Sequence, residues 1–359
     1  MSDPTPPILS STTQYYRPVP VYAARLPRPR YWFHALLLVA TCFTTLVMGA
    51  RMQYNFVHGQ PALSFSDEPI GDELIPYFPA SWMFSHPARL LGGIPFAATV
   101  MLFFLAHEMG HYLCCRRYWI HSTLPFFIPM PISPIGTMGA VILIRSPIRS
   151  RTALFDIAVA GPIAGFVVAA FVLAFSLGLS RALPLNAAAT GYELAYPRIF
   201  ALTQRLLSSI GVLHGAALLP LNQLLLHPTA IAAWVGMFAT TLNLLPGGQL
   251  DGGHIVFSLA PRIHKFVSRL TILILLPMAY YLWTGWLVWA ILLQLSSLRH
   301  PQVAEWPRVS GLRTGLAIFA LLMLGLTMMP APFAHSSFKE ILPSLMEGLR
   351  EVLRGFRQR

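Results

Sequence analysis

His107-Glu108-Met109-Gly110-His111 spells HExxH inside an apolar run. On a helix, positions i and i+4 share a face, so both imidazoles can offer a nitrogen to one zinc ion while the adjacent glutamate reaches a water as general base. Coincidental packing of two histidines against aromatic side chains is the plainer alternative. The position argues against it, because burying His, Glu and His together in hydrocarbon without a metal or polar partners is costly.

A catalytic zinc needs a third protein ligand and an open position. Acids inside apolar runs are expensive, and between residues 90 and 300 the chain has only Glu108, Asp156, Glu193 and Asp251. Glu193 falls in an outer loop. Asp156 opens a span a few residues after Arg149 and Arg151, and an ion pair or a helix N-terminal acid explains it. Asp251 is the best candidate, in the stretch from Asn243 to His254, NLLPGGQLDGGH. There Pro246 and the glycines 247, 248, 252 and 253 break a span near its cytoplasmic end and can turn a carboxylate inward. Cys114, on the same helical face as the two histidines, and His254 are its rivals.

The elements that must position these residues are membrane helices. Of 359 residues, 55% are hydrophobic and 11% charged, against about 25% charged in an ordinary soluble domain. The net charge of +12 comes from 25 Lys+Arg and 13 Asp+Glu, with the basic residues clustered between apolar runs. That pattern fits basic membrane flanks and a lipid bilayer as surroundings, and excludes a nucleic-acid partner. Cys42, Cys114 and Cys115 lie within apolar runs and make no disulfide framework.

Apolar runs at 33–50, 93–115, 153–179, 231–246, 267–283, 285–298 and 312–330 predict an all-α polytopic membrane protein with six or seven transmembrane helices. The expected organisation is a disordered cytoplasmic tail (1–32), a first span with its outer loop (33–92), further spans with an outer loop at 180–230, accessory spans (261–330) and an amphipathic C-terminal helix within 331–359. Segment 124–145 is apolar but carries Pro125, Pro129, Pro131 and Pro134, which excludes a continuous helix. It is predicted as a membrane-embedded hairpin walling a cavity, the one setting in which such backbone is tolerated. Gly161 and Gly165 form a GxxxG pair, read as close helix packing.

Orientation follows from the loops. Segment 51–90 has Asp67, Glu68, Asp72 and Glu73 against Arg51 and Arg89, whereas 116–152 has Arg116, Arg117, Arg145, Arg149 and Arg151 with no acid. The positive-inside rule therefore puts the N-terminus and 116–152 in the cytoplasm, with the active site near that face of what is expected to be a bacterial inner membrane.

At these residues the sequence resembles the site-2 protease family of intramembrane zinc metalloproteases. The resemblance rests on His107-Glu108-Met109-Gly110-His111, on Asn243-Leu244-Leu245-Pro246 with Leu250-Asp251-Gly252-Gly253-His254, on Gly136-Thr137-Met138-Gly139-Ala140, and on Phe155-Asp156-Ile157-Ala158-Val159-Ala160-Gly161-Pro162. The last two are similar to the branch of plastid homologues named for ethylene-dependent gravitropism deficiency. The resemblance implies one zinc per chain held by His107, His111 and Asp251, with Glu108 activating water, and a three-helix catalytic core at 93–260 that includes the hairpin at 124–145. It also implies a single-span membrane-protein substrate cut within or next to its transmembrane helix. Because a substrate helix hides its carbonyls, it must unwind, and the hairpin with Thr137 and Gly139 could then hold it by strand addition. Asn243 could anchor the substrate backbone or stabilise an oxyanion; a helix-to-helix hydrogen bond is the equal alternative. Other HExxH membrane proteases acting on soluble or prenylated chains, and a non-catalytic regulator or transporter, are the competing classes.

In a background lacking the three native cysteines, an impermeant thiol reagent applied to intact cells should label Ile70→Cys and spare Arg149→Cys. The reverse pattern would invert the topology.

Overall fold

Each apolar run in the sequence forms a helix, and the Pro-rich segment does not. The computed structural model describes residues 30–65, 75–184, 193–297, 303 and 309–357. The expected disordered tail, apart from residues 30–32, and the acids Asp67, Glu68, Asp72 and Glu73 lie outside the described residues. In chain order the helices are α1 (Tyr31–Val57), α2 (Ala80–Ser85), α3 (Leu90–Arg117), α4 (Arg151–Ser176), α5 (Arg198–Ser209), α6 (Pro228–Leu244), α7 (Asp251–Leu259), α8 (Pro261–Tyr281), α9 (Gly285–Ser297), α10 (Leu312–Thr327) and α11 (Phe338–Arg357). Two short antiparallel pairs interrupt them: β1 (Phe126–Pro129) with β2 (Thr137–Val141), and β3 (Arg181–Ala182) with β4 (Leu224–Leu225). The expected all-α class therefore holds for the helical frame, with these small sheets added.

Among the described residues, four helical stretches are long and apolar enough to cross a membrane: α1, α3 with the turn before it, α4 with the turn after it, and α8. Helices α9 and α10 are apolar but shorter. Helix α6 has 17 residues, about 26 Å at 1.5 Å per residue, against a hydrocarbon core of about 30 Å. Its sides are nearly all buried, because α3, α4 and α10 pack around it. Phe103, Phe155, Phe166, Ala169, Trp234 and Met237 belong to the apolar core that α3, α4 and α6 share.

The hairpin leans on α1. His34 stacks on Phe126 with ring centroids 3.9 Å apart, and its Nδ1 lies 3.1 Å from the Pro125 carbonyl oxygen. Strand β1 pairs with β2 through Phe126 opposite Val141 and Phe127 opposite Ala140, with a register shift before Pro129. The pairing continues beyond the strands, where Thr123 N–H donates to Leu143 O at 3.0 Å and Arg145 N–H to His121 O at 2.8 Å. With β1 and its extension on one edge of β2, the opposite edge is left for whatever lies beside it.

Asp156 has a different partner from the one expected. Neither Arg149 nor Arg151 bridges it; Arg313, at the start of α10, donates from Nε to Oδ1 and from Nη2 to Oδ2, both at 2.8 Å, and Tyr118 O–H donates to Oδ2. This fork joins α10 to α3 and α4 across a long stretch of sequence, in the geometry that gives an arginine–carboxylate pair its strength. Arg151 is buried and donates to the carbonyl of Ser258, near the C-terminal end of α7, where a cation is favoured. The C-terminal helix α11 begins with a capping box: Ser337 Oγ accepts from Glu340 N–H at 3.3 Å, and Glu340 Oε2 accepts from Ser337 N–H at 3.2 Å.

Candidate metal centre

Three side chains from two stretches of chain meet at one point. Helix α3 supplies His107 and His111 on one face, as the i, i+4 spacing requires, and both are buried. Asp251 comes from the first position of α7, after the break that ends α6 at Leu244. His107 Nε2 lies 3.1 Å from His111 Nε2, and Asp251 Oδ2 lies 3.4 Å from each.

These separations fit a metal ion. Ligands about 2.0–2.1 Å from a tetrahedral zinc stand about 3.3 Å from one another, the spacing seen for all three pairs. The protons agree with it. His111 Nδ1 lies 2.7 Å from the carbonyl oxygen of Ile157, so Nδ1 carries the proton and Nε2 presents a lone pair. A bare imidazole nitrogen facing a carboxylate oxygen and a second imidazole needs a cation between them. Among the described residues, His107, His111 and Asp251 are the group of side chains so arranged. The rival ligand Cys114 stays outside it, half-buried and unpaired with another sulfur, and His254 lines the cavity wall without joining the triad.

Small residues make the convergence possible. A Cβ on Gly161 would fall 2.1 Å from His111 Nε2, so only glycine on α4 lets α3 approach with its histidine side chain between the helices. Gly165, one turn on, faces Phe103 and His107. The GxxxG pair is indeed a packing device, and the surface that it packs carries the two histidines. Behind the aspartate, a Cβ on Gly252 would lie 2.2 Å from Leu244 O, so the restarted helix touches the end of the one before it. The carboxylate also sits in the first turn of α7, where the helix dipole favours an anion.

Glu108 is buried beside this point. A cavity of about 280 Å³ contains both histidines, Glu108, Asn243 and Asp251, with Ala140, Val141, Ile142 and Ile144 along one wall. That wall is the unpaired side of β2 and its continuation. Asn243 Nδ2 lies 3.2 Å from His107 Nε2, which places the amide at the metal point and pairs α6 with α3.

Thr137 and Gly139, expected to hold substrate, are placed otherwise. Thr137 is buried, its hydroxyl donates to Ile128 O at 2.9 Å, and the same oxygen accepts the Gly139 N–H at 2.9 Å. Gly139 has φ of +101° and packs under Phe104. Both residues shape the hairpin from inside, and the residues of this segment that line the cavity are Ala140, Val141, Ile142 and Ile144. Sequence reasoning passed over Ala140, Val141, Ile142 and Ile144 because an apolar strand residue gives no sign of which edge of its backbone is left unpaired.

The profile of peptidase family M50 matches residues 95–282, more than half of the chain. The chain belongs to peptidase family M50. Among similar proteins, the probable zinc metalloprotease EGY2, chloroplastic, of Arabidopsis thaliana is 29% identical over 276 residues, which are 73% of this chain and 46% of that protein. The probable zinc metalloprotease EGY1, chloroplastic, of Oryza sativa subsp. japonica is 27% identical over 62% of this chain and 37% of its own length. For EGY1 of Arabidopsis thaliana the figures are 27% identity, 84% and 53%. The chain thus spans about half the length, or less, of these curated relatives. The matched region includes the HExxH helix, the hairpin and the aspartate break, and membership of this membrane-embedded family agrees with an integral membrane protein.

Replacing Gly161 by Ala should expel the His111 ring and lower metal affinity by about tenfold or more, the range seen when the support of a ligand is lost. Metal analysis of the purified variant, with helical content checked by circular dichroism, reads this directly. Parent-level metal in Gly161→Ala would contradict the packing argument.

Proposed function

We propose that this chain is a zinc metalloendopeptidase of the site-2 type, which hydrolyses a peptide bond within or next to a transmembrane helix of a membrane-protein substrate. The observation that carries the reading is the meeting of His107, His111 and Asp251 beside Glu108, under a strand edge left open to an extended chain. His107, His111 and Asp251 would hold one zinc ion. Zinc supplies a Lewis acid that makes water a nucleophile at neutral pH and polarises a carbonyl oxygen.

The chain's own residues do the rest. An unwound substrate segment adds to the free edge of β2, where the backbone of Ala140–Ile144 can pair with it and bring its scissile carbonyl into the cavity. Glu108 takes a proton from the attacking water and returns it to the leaving amine. Ile142, on this strand, lines the same cavity as Glu108, so the strand that aligns substrate also stands beside the base. The Asn243 amide, beside His107, can donate to the carbonyl oxygen as negative charge gathers there.

In this reading α6, α9 and α10 join the four longer helices to give the expected six or seven crossings, and residues 93–260 form the catalytic core. The cavity then opens toward the basic 145–151 segment, on the cytoplasmic side if the arginine asymmetry sets the orientation. The chloroplastic names of the relatives belong to those proteins and lend no support to a bacterial inner membrane.

Purified protein in proteoliposomes with a single-span reporter substrate tests the assignment. Glu108→Gln should keep zinc at the parent level and slow cleavage by at least about a hundredfold. His107→Ala, His111→Ala and Asp251→Ala should lose both zinc and cleavage, while Cys114→Ala keeps both. Full cleavage by Glu108→Gln would remove the general base from the scheme.

A further inference from the structure

The break between α6 and α7 places Asp251, and the turn holds part of itself: Leu245 N–H donates to Leu242 O at 3.4 Å, Gly247 N–H to Leu245 O at 2.8 Å and His254 N–H to Leu250 O at 2.9 Å. Pro246 has no N–H, and its carbonyl and the backbone of Gly248 and Gln249 lie outside these bonds. In a membrane each freed backbone group must find a partner inside the protein. Those partners come from α8 and α9, outside the helices that carry the ligands.

Helix α8 buries His264, Ser268, Thr271, Leu275 and Ala279, at spacings of four, three, four and four residues, on one face. Half of this face is apolar, with Leu275 and Ala279 packed into the cluster around Trp286. The other half is polar and meets the turn. Thr271 Oγ1 lies 3.0 Å from Pro246 O and 3.0 Å from Val267 O of its own helix, so its one proton is shared between the turn and the helix; Ser268 Oγ accepts the Gly248 N–H at 3.2 Å, and His264 Nε2 lies 3.2 Å from Gly248 O, so that ring nitrogen is the donor. From α9, Ser296 Oγ accepts the Gln249 N–H at 3.4 Å, and the Gln249 side chain donates to Ser296 O at 3.1 Å.

We propose that His264, Ser268 and Thr271 are positioning residues for the metal centre, a polar clamp on the Pro246–Gly248 turn that fixes the angle at which α7 starts and so aims Asp251 at the two histidines. The proposal rests on the metal site described above. Its physical basis is leverage: Asp251 stands three residues beyond Gly248, and the carboxylate must meet the histidine nitrogens to within a few tenths of an ångström for three ligands to share one ion. A turn free to rock would keep the helices folded and still loosen that third ligand. The clamp therefore acts on the lifetime of the bound metal more than on the stability of the fold.

Thr271→Val keeps the shape of the side chain and removes only the hydroxyl, and Ser268→Ala removes the other. The full chain, loaded with zinc in lipid nanodiscs, is mixed with a chromogenic chelator to follow zinc release, and the metal-free protein is melted in parallel. The double variant should release zinc about tenfold faster than the parent or more, with the metal-free melting temperature unchanged, while Thr271→Ser, which restores the donor, releases at the parent rate. If the double variant does not fold, Thr271→Val is compared with Thr271→Ser in the same way. Parent-like release overturns the clamp, and so does faster release matched by an equal fall in metal-free stability, which would mark a merely structural role. A parent that holds no zinc, or holds it equally after Asp251→Ala, defeats the metal site itself and is told apart by that control.

Discussion

Hydrocarbon gives no hydrogen bonds, so every polar group that this chain places inside the membrane has to be answered by another part of the chain. Two imidazoles and two carboxylates are brought to one buried point, where Ile157 O fixes the direction of His111, Asn243 lies beside His107, and both histidines face Asp251. The same requirement explains Arg313 on Asp156 and Thr271 on Pro246. Much of the fold is a set of answers to polar groups that the chemistry puts in an apolar layer.

Meeting that requirement takes backbones that come close together. Glycine at 161 leaves room for the His111 ring between α3 and α4, and glycine at 252 lets α7 restart against the end of α6. The ligands therefore sit on helices whose spacing is set by the absence of side chains, and a rigid helix pair gives more precise placement than a loop would. The third ligand is the exception, since it hangs on a turn, and its support has to come from hydrogen bonds instead of van der Waals packing.

The candidate ligands and the candidate base were legible because they are polar residues in or at the end of apolar runs: His107, Glu108, His111 and Asp251 could be singled out from the sequence, and the structure gathers them. The helices too could be read, from hydropathy, to within a few residues at α3 and α4. What could not be read was pairing across long separations. Asp156 has two arginines nearby in sequence and binds one on α10, because the tertiary approach of α10 outweighs proximity along the chain. Thr137 and Gly139 looked like substrate contacts, but a hairpin has two edges and two faces, and sequence does not say which edge α1 covers. Ser268 and Thr271 lie in the apolar run 267–283 with His264 just before it, and nothing in the sequence says which turn they meet.

The central claim is that one ion is held by two imidazole nitrogens and one carboxylate oxygen. X-ray absorption at the zinc K-edge of the purified full chain tests it without reference to activity. The account predicts nitrogen and oxygen neighbours alone, at about 2.0–2.2 Å, with the outer scattering of two imidazole rings. A sulfur neighbour at about 2.3 Å would put Cys114 in the coordination shell and contradict it.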